Sequence, residues 1–162
     1  MSEKSTKSFT RKDFLKTAGS GVILAYFGIS LTSCSGNVTD ASSSSNIDTS
    51  DPNSPITING DVITVDLSRS ELEDLNESGG WLLIRDAQTL LVNIDGTFFR
   101  AFTSVCTHQN CSVNWQFDGS NFICTCHNSK FDTSGAVTQG PATRDLEEFT
   151  VEREGNTLTI TK

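Results

Sequence analysis

The chain has 162 residues, a formal charge of −8, 35% hydrophobic residues, and ten phenylalanines against one tyrosine and one methionine. That length suits one domain with a core of its own and hardly two. The acid excess argues against nucleic acid as a partner, and the composition excludes collagen, a coiled coil and a multi-span membrane protein. The charge is uneven along the chain. Residues 1–33 carry Lys4, Lys7, Arg11, Lys12 and Lys16 against Glu3 and Asp13, a net of +3 that leaves −11 on the rest. A basic head on an acidic body is the pattern of a targeting segment.

An apolar stretch, Ala18 to Leu31, follows the basic residues. It is shorter than the roughly 20 residues that cross a ~30 Å hydrocarbon core, and Gly19, Gly21 and Gly28 weaken it as a helix. A basic segment before a short apolar one reads as an export signal over 1–33. Thr10-Arg11-Lys12-Asp13-Phe14-Leu15-Lys16 resembles a twin-arginine signal in which Lys12 replaces the second arginine. That route exports folded proteins, which suits a protein that receives a cofactor before export. Leu31-Thr32-Ser33-Cys34 resembles a bacterial lipobox. The resemblance implies cleavage before Cys34, lipid on its sulfur and new amino group, and anchoring at about 0.8 kcal/mol per buried CH₂. An uncleaved anchor helix with Cys34 as a bystander is the alternative. The expected place is therefore a bacterial membrane, facing the periplasm or the cell exterior. Residues 34–55 are rich in Ser, Asn, Asp and Thr. Such a segment buries too little apolar surface to offset its ordering entropy and is expected to be a flexible tether, a plain spacer rather than a swinging arm.

From residue 56 to 162 the pattern is all-β: short β-branched or alternating runs broken by turn pairs. Asn59-Gly60, Asp95-Gly96, Asp118-Gly119 and Gly155-Asn156 each separate two such runs and predict four hairpins. Hairpins at this spacing mean stacked antiparallel sheets or a barrel. One stretch differs. Ser68 to Leu75 has the Ser-x-x-Glu spacing of a capping box and precedes Gly79-Gly80, predicting one or two helical turns. Trp81 and Trp115 read as core, and Glu147-Glu148 as a solvated edge.

The chemistry sits in two loops, Cys106-Thr107-His108-Gln109-Asn110-Cys111 and Cys124-Thr125-Cys126-His127-Asn128-Ser129. Each offers a thiolate and an imidazole, ligand types that suit zinc or an iron–sulfur centre. Two loops giving one Cys and one His each can build a Cys₂His₂ shell. A structural zinc-binding interaction module and an iron–sulfur carrier both remain open on these residues.

The pattern C-x-H-x-x-C followed by C-x-C-H-x-S resembles the Rieske iron–sulfur family, and the likeness runs over about residues 60–162. It implies stacked antiparallel sheets with a cluster-binding subdomain made of two loops. It implies one [2Fe–2S] cluster per chain, with Cys106 and Cys124 on one iron and His108 and His127 on the other. Cys111 and Cys126 correspond to the family's disulfide, which marks the high-potential respiratory type. Export to an oxidising compartment agrees with that pairing, and a bridge closing about 15 residues is worth about 3 kcal/mol. Ser129 matches the residue whose hydroxyl donates to a cluster sulfide. Gly140-Pro141-Ala142 matches a proline loop that covers the cluster, and Asp132-Thr133-Ser134-Gly135 the turn after the second loop.

Three departures stand out. Phe131 takes the place of a tyrosine that bonds a ligand sulfur in high-potential members, which implies a lower potential. Gln109-Asn110 replaces an apolar residue and a glycine at the tip that docks near the quinone. Asn128 replaces a glycine, and asparagine tolerates left-handed backbone. The function implied is one-electron transfer by a tethered carrier or a subunit of a respiratory oxidoreductase, such as the small subunit of an arsenite-oxidase-like enzyme. Its partners would be a cytochrome, a copper protein or an oxidoreductase large subunit. The Rieske subunit of a quinol-oxidising bc-type complex is the second possibility. No acid/base pair or nucleophile stands out, so catalysis by the chain itself is not implied.

Overall fold

The structure, a computed structural model, describes residues 47–162. The expected signal, Cys34 and the tether as far as residue 46 lie outside the described residues. The described body is all-β, as the sequence predicts, with eleven strands. These are β1 (Ile56–Asn59), β2 (Val62–Asp66), β3 (Trp81–Ile84), β4 (Thr89–Asn93), β5 (Phe99–Thr103), β6 (Trp115–Phe117), β7 (Asn121–Cys124), β8 (Ser129–Asp132), β9 (Val137–Gln139), β10 (Glu148–Glu154) and β11 (Thr157–Thr161).

All four predicted hairpins form. In the first, Asn59 pairs with Val62, so Gly60 and Asp61 make a two-residue loop with Gly60 at φ +59°. That left-handed geometry is what a tight hairpin turn asks for. The other three are β4–β5, β6–β7 and β10–β11, each antiparallel.

Two sheets result. A seven-stranded base runs β1-β2-β11-β10-β5-β4-β3, and a four-stranded meander runs β6-β7-β8-β9. The meander is an insertion between β5 and β10, which are neighbours in the base: Phe102 pairs with Glu148 and Ala101 with Phe149. The Thr103 N–H donates to the Glu147 carbonyl at 2.8 Å, closing the neck of the insertion. Glu148 is exposed but more than a solvated edge, since the Arg100 guanidinium grips its carboxylate through Nε at 2.7 Å and Nη2 at 2.8 Å.

Strands β3 and β4 are buried on both faces. Leu82, Ile84 and Leu91 join a core with Ile56, Ile63, Val65, Leu158 and Ile160. Trp81, Leu83, Leu90 and Val92 join a second core with Phe102 and the meander's Trp115, Phe122 and Phe131. Each fully buried phenylalanine is worth about 1.5–3 kcal/mol of hydrophobic stabilisation. The second core therefore fastens the meander to the base.

The predicted helix is a 3₁₀ segment, Ser70–Asn76, that buries Leu72 and Leu75. The capping box does not form. Ser68 Oγ donates instead to Asp66 Oδ1 at 2.6 Å, and Arg69 stands at the N-cap without a side-chain cap bond. Local hydroxyl-to-carboxylate bonding outcompetes the helix start. The last part of the expected tether, 47–55, is turn structure packed on the body: Ile47 lies against the first core and the Thr49 hydroxyl donates to the Asp86 carboxylate. Among the described residues no helix is long and apolar enough to cross a membrane.

Candidate metal centre

The two cysteine–histidine loops sit at one end of the meander. The first follows β5, and the second begins at Cys124, the last residue of β7. Both close in the same way. The Asn110 N–H donates to the Cys106 carbonyl at 2.8 Å, and the Asn128 N–H to the Cys124 carbonyl at 2.8 Å. Both asparagines are left-handed, at φ +56° and +62°, a conformation asparagine tolerates better than most residues. Asn110 at a family glycine position thus has a backbone reason, the same one expected for Asn128.

Cys111 and Cys126 form a disulfide with Cα atoms 6.6 Å apart, joining the loops as the family resemblance implies. Its sulfurs and that of Cys124 all lie within 4.8 Å of one another. The bridge therefore shields a free thiol and supplies no ligand of its own.

Cys106 and Cys124 are free and buried. Burial, then the neighbouring Cys106 thiol, pushes the Cys124 thiol up to about 11, against the pull of the Cys126 and His127 backbone N–H groups. Such a thiol is a poor nucleophile at neutral pH; a bound cation is what makes it a thiolate. The two imidazoles meet edge to face with ring centroids 4.7 Å apart. His108 Nδ1 is buried with no hydrogen-bond partner among the described residues, while the His127 ring is exposed. An orphaned buried nitrogen costs roughly 1–3 kcal/mol, which a metal bond would offset. Two inward thiols, one orphaned imidazole nitrogen and a second imidazole beside it fit a Cys₂His₂-ligated metal group.

A third loop lies over the other two. Gly140–Pro141 is a cis peptide and Pro141 is exposed. The Ala142 N–H donates to the buried Ser129 Oγ at 3.0 Å, Gln139 Nε2 to the Asn128 carbonyl at 3.1 Å, and Thr107 Oγ1 to the Arg144 carbonyl at 2.6 Å. The proline loop is thus tied to both ligand loops. Ser129 accepts one bond there and keeps its own O–H for a further partner. Phe131 is fully buried, 5.7 Å from the Trp115 ring, and so is core. Thr107, Gln139 and Arg144 were not singled out from the sequence; the only signal was their proximity to the motif and the proline.

Residues 63–150 match the family described as Rieske [2Fe-2S] domain. The "Cytochrome b6-f complex iron-sulfur subunit" of Prochlorococcus marinus (strain MIT 9515) is 40% identical over 62 residues, 38% of this chain and 35% of that protein. The subunit of the same name from Chlorobaculum thiosulfatiphilum is 32% identical over 75 residues, 46% of this chain and 41% of that one. The chain thus spans well under half the length of these curated relatives. The cyanobacterial plasma membrane Rieske protein PetC3 from Synechocystis PCC 6803 is 33% identical, with a TM-score of 0.42 over 46% of this chain and 76% of that one. With more than half of the whole chain in one match, the cofactor is an iron–sulfur cluster and the zinc alternative is set aside: the chain belongs to the Rieske [2Fe-2S] family.

Proposed function

We propose that this chain is a one-electron carrier that holds its cluster on Cys106, His108, Cys124 and His127. The observation that carries the reading is the pair of buried thiols beside the unsatisfied His108 Nδ1, clamped by the Cys111–Cys126 bridge. The bound cluster supplies one-electron redox chemistry, at roughly −150 to +300 mV for centres of this type. The chain's own residues do the rest. Buried Cys106 and Cys124 keep water from the sulfurs, and backbone N–H groups of Cys126 and His127 point at the Cys124 sulfur. Ser129 and Thr107 hold the proline loop in place. Exposed His127 is the edge through which an electron leaves.

By this reading the chain is an exported lipoprotein with a signal over 1–33, lipid on Cys34, a tether from there to the body, and a Rieske domain from 56. It belongs to the disulfide-bearing type and passes electrons to a cytochrome, a copper protein or an oxidoreductase large subunit. A second reading, the Rieske subunit of a quinol-oxidising cytochrome complex, is favoured by the names of the relatives. Gln109 at the tip, exposed and polar, and Phe131 speak for the first.

The test is the purified full chain. Two irons and two acid-labile sulfides per chain, a coloured oxidised form, and loss of both in Cys124→Ser are expected. A colourless protein would overturn the reading. Cys34→Ser should move the protein from the membrane to the soluble fraction.

A further inference from the structure

The described residues carry seventeen Asp and Glu against seven Lys and Arg, yet the ligand loops and the proline loop hold almost none of them. Segments 104–117, 121–129 and 136–144 carry those loops and the strands beside them, and apart from the histidines they contain one group of permanent charge, Arg144, with Asp145 next to it. Gln109, Asn110, Thr125, Asn128, Gln139 and Thr143 are exposed on these segments. The backbone of Arg144 is pinned by the 2.6 Å bond from Thr107, the residue between Cys106 and His108. Its side chain is exposed and makes no ion pair among the described residues. Its neighbour Asp145, also exposed, makes no ion pair with it and accepts the Val137 N–H at 2.9 Å.

Resting on the carrier reading above, we infer that the redox partner presents an anionic group, a carboxylate, at its electron-entry surface, and that Arg144, the one permanent charge on the ligand and proline loops, receives it. An unpaired guanidinium on an anchored backbone is suited to a carboxylate in a fork geometry. The acidic base repels an anionic surface everywhere else, so the field turns such a partner toward the cluster end. A basic partner would be drawn to the base instead, away from the cluster.

The experiment uses the cluster-loaded full chain, reduced and mixed in stopped flow with hexacyanoferrate(III), an anion, or tris(phenanthroline)cobalt(III), a cation. Arg144→Gln should slow the anionic oxidant about threefold to tenfold at about 10 mM salt, with the difference fading as the Debye length shrinks. It should leave the cationic oxidant unchanged or faster, and Arg144→Lys should retain most of the wild-type rate. The visible spectrum and potential should not move, which separates docking from damage to the cluster. Equal rates for wild type and Arg144→Gln with the anion, or a larger loss with the cation, would overturn the inference. A colourless protein would instead overturn the carrier reading on which it rests.

Discussion

Replacing Cys111 and Cys126 together by alanine removes a bridge between residues 15 apart that ties the two ligand loops. In the chain-entropy account a closed loop of that length is worth about 3 kcal/mol. For a domain of this size 1 kcal/mol moves the melting temperature by roughly 3–6 °C, so the metal-free variant should melt about 10–15 °C lower than the metal-free wild type. In the loaded protein the proposed ligands already tie the same loops, and the two constraints overlap instead of adding. The loss there should be about half as large. Calorimetry of loaded and chelator-stripped protein, with and without the pair of substitutions and without reductant, gives all four values. Equal losses in both states, or none in the stripped state, would refute the claim that bridge and cluster restrain the same freedom.

Phe131→Tyr adds a hydroxyl inside the core beside the site. If that hydroxyl bonds a ligand sulfur with roughly 1 kcal/mol of preference for the reduced state, the one-electron potential rises by about 40 mV; a voltammogram that shows no change or a fall removes the explanation. Gly135→Ala should lower stability by about 2–4 kcal/mol, because Gly135 sits at φ +83° and a Cβ there would lie 2.7 Å from the buried Phe102 ring. Gly155→Ala, with open space around it, should cost about 1 kcal/mol of backbone strain; equal midpoints in urea for the two would contradict this. The Arg100 bond holds the Glu148 carboxyl below its ordinary value of 4.5. A carboxyl depressed in the fold stabilises it above the unfolded value, and that contribution fades as pH falls through the folded one. Glu148→Gln should therefore be about 0.5 kcal/mol less stable than wild type at neutral pH, discounted for its exposure. The gap should close as pH falls through the folded value, and a gap that widens on acidification would have the wrong sign.

The hairpins were legible because Asn59-Gly60, Asp95-Gly96, Asp118-Gly119 and Gly155-Asn156 carry their own turn geometry. The family motif was legible because its spacing is local. Strand β3, Trp-Leu-Leu-Ile, carries no alternation, since both its faces are buried. Strands β8 and β9 are short, and β9 is mostly exposed, so little in their pattern marks them. The β5–β10 pairing rests on two residue pairs across some fifty residues of chain, which no local pattern encodes. At the site, the bonds from Thr107, Gln139 and Ala142 arise from a loop folding back over its neighbours, and composition is silent about that.

The neck at Thr103 and Glu147 has an evolutionary consequence. Because the meander leaves and re-enters the base at two hydrogen-bonded neighbours, it can lengthen, shorten or change sequence at its tip without displacing a strand of the base. Divergence in such a chain should therefore be uneven. The base is held by its continuous register, the ligand loops by their chemistry, and the rest of the inserted module is free to be retailored to whichever molecule takes the electron.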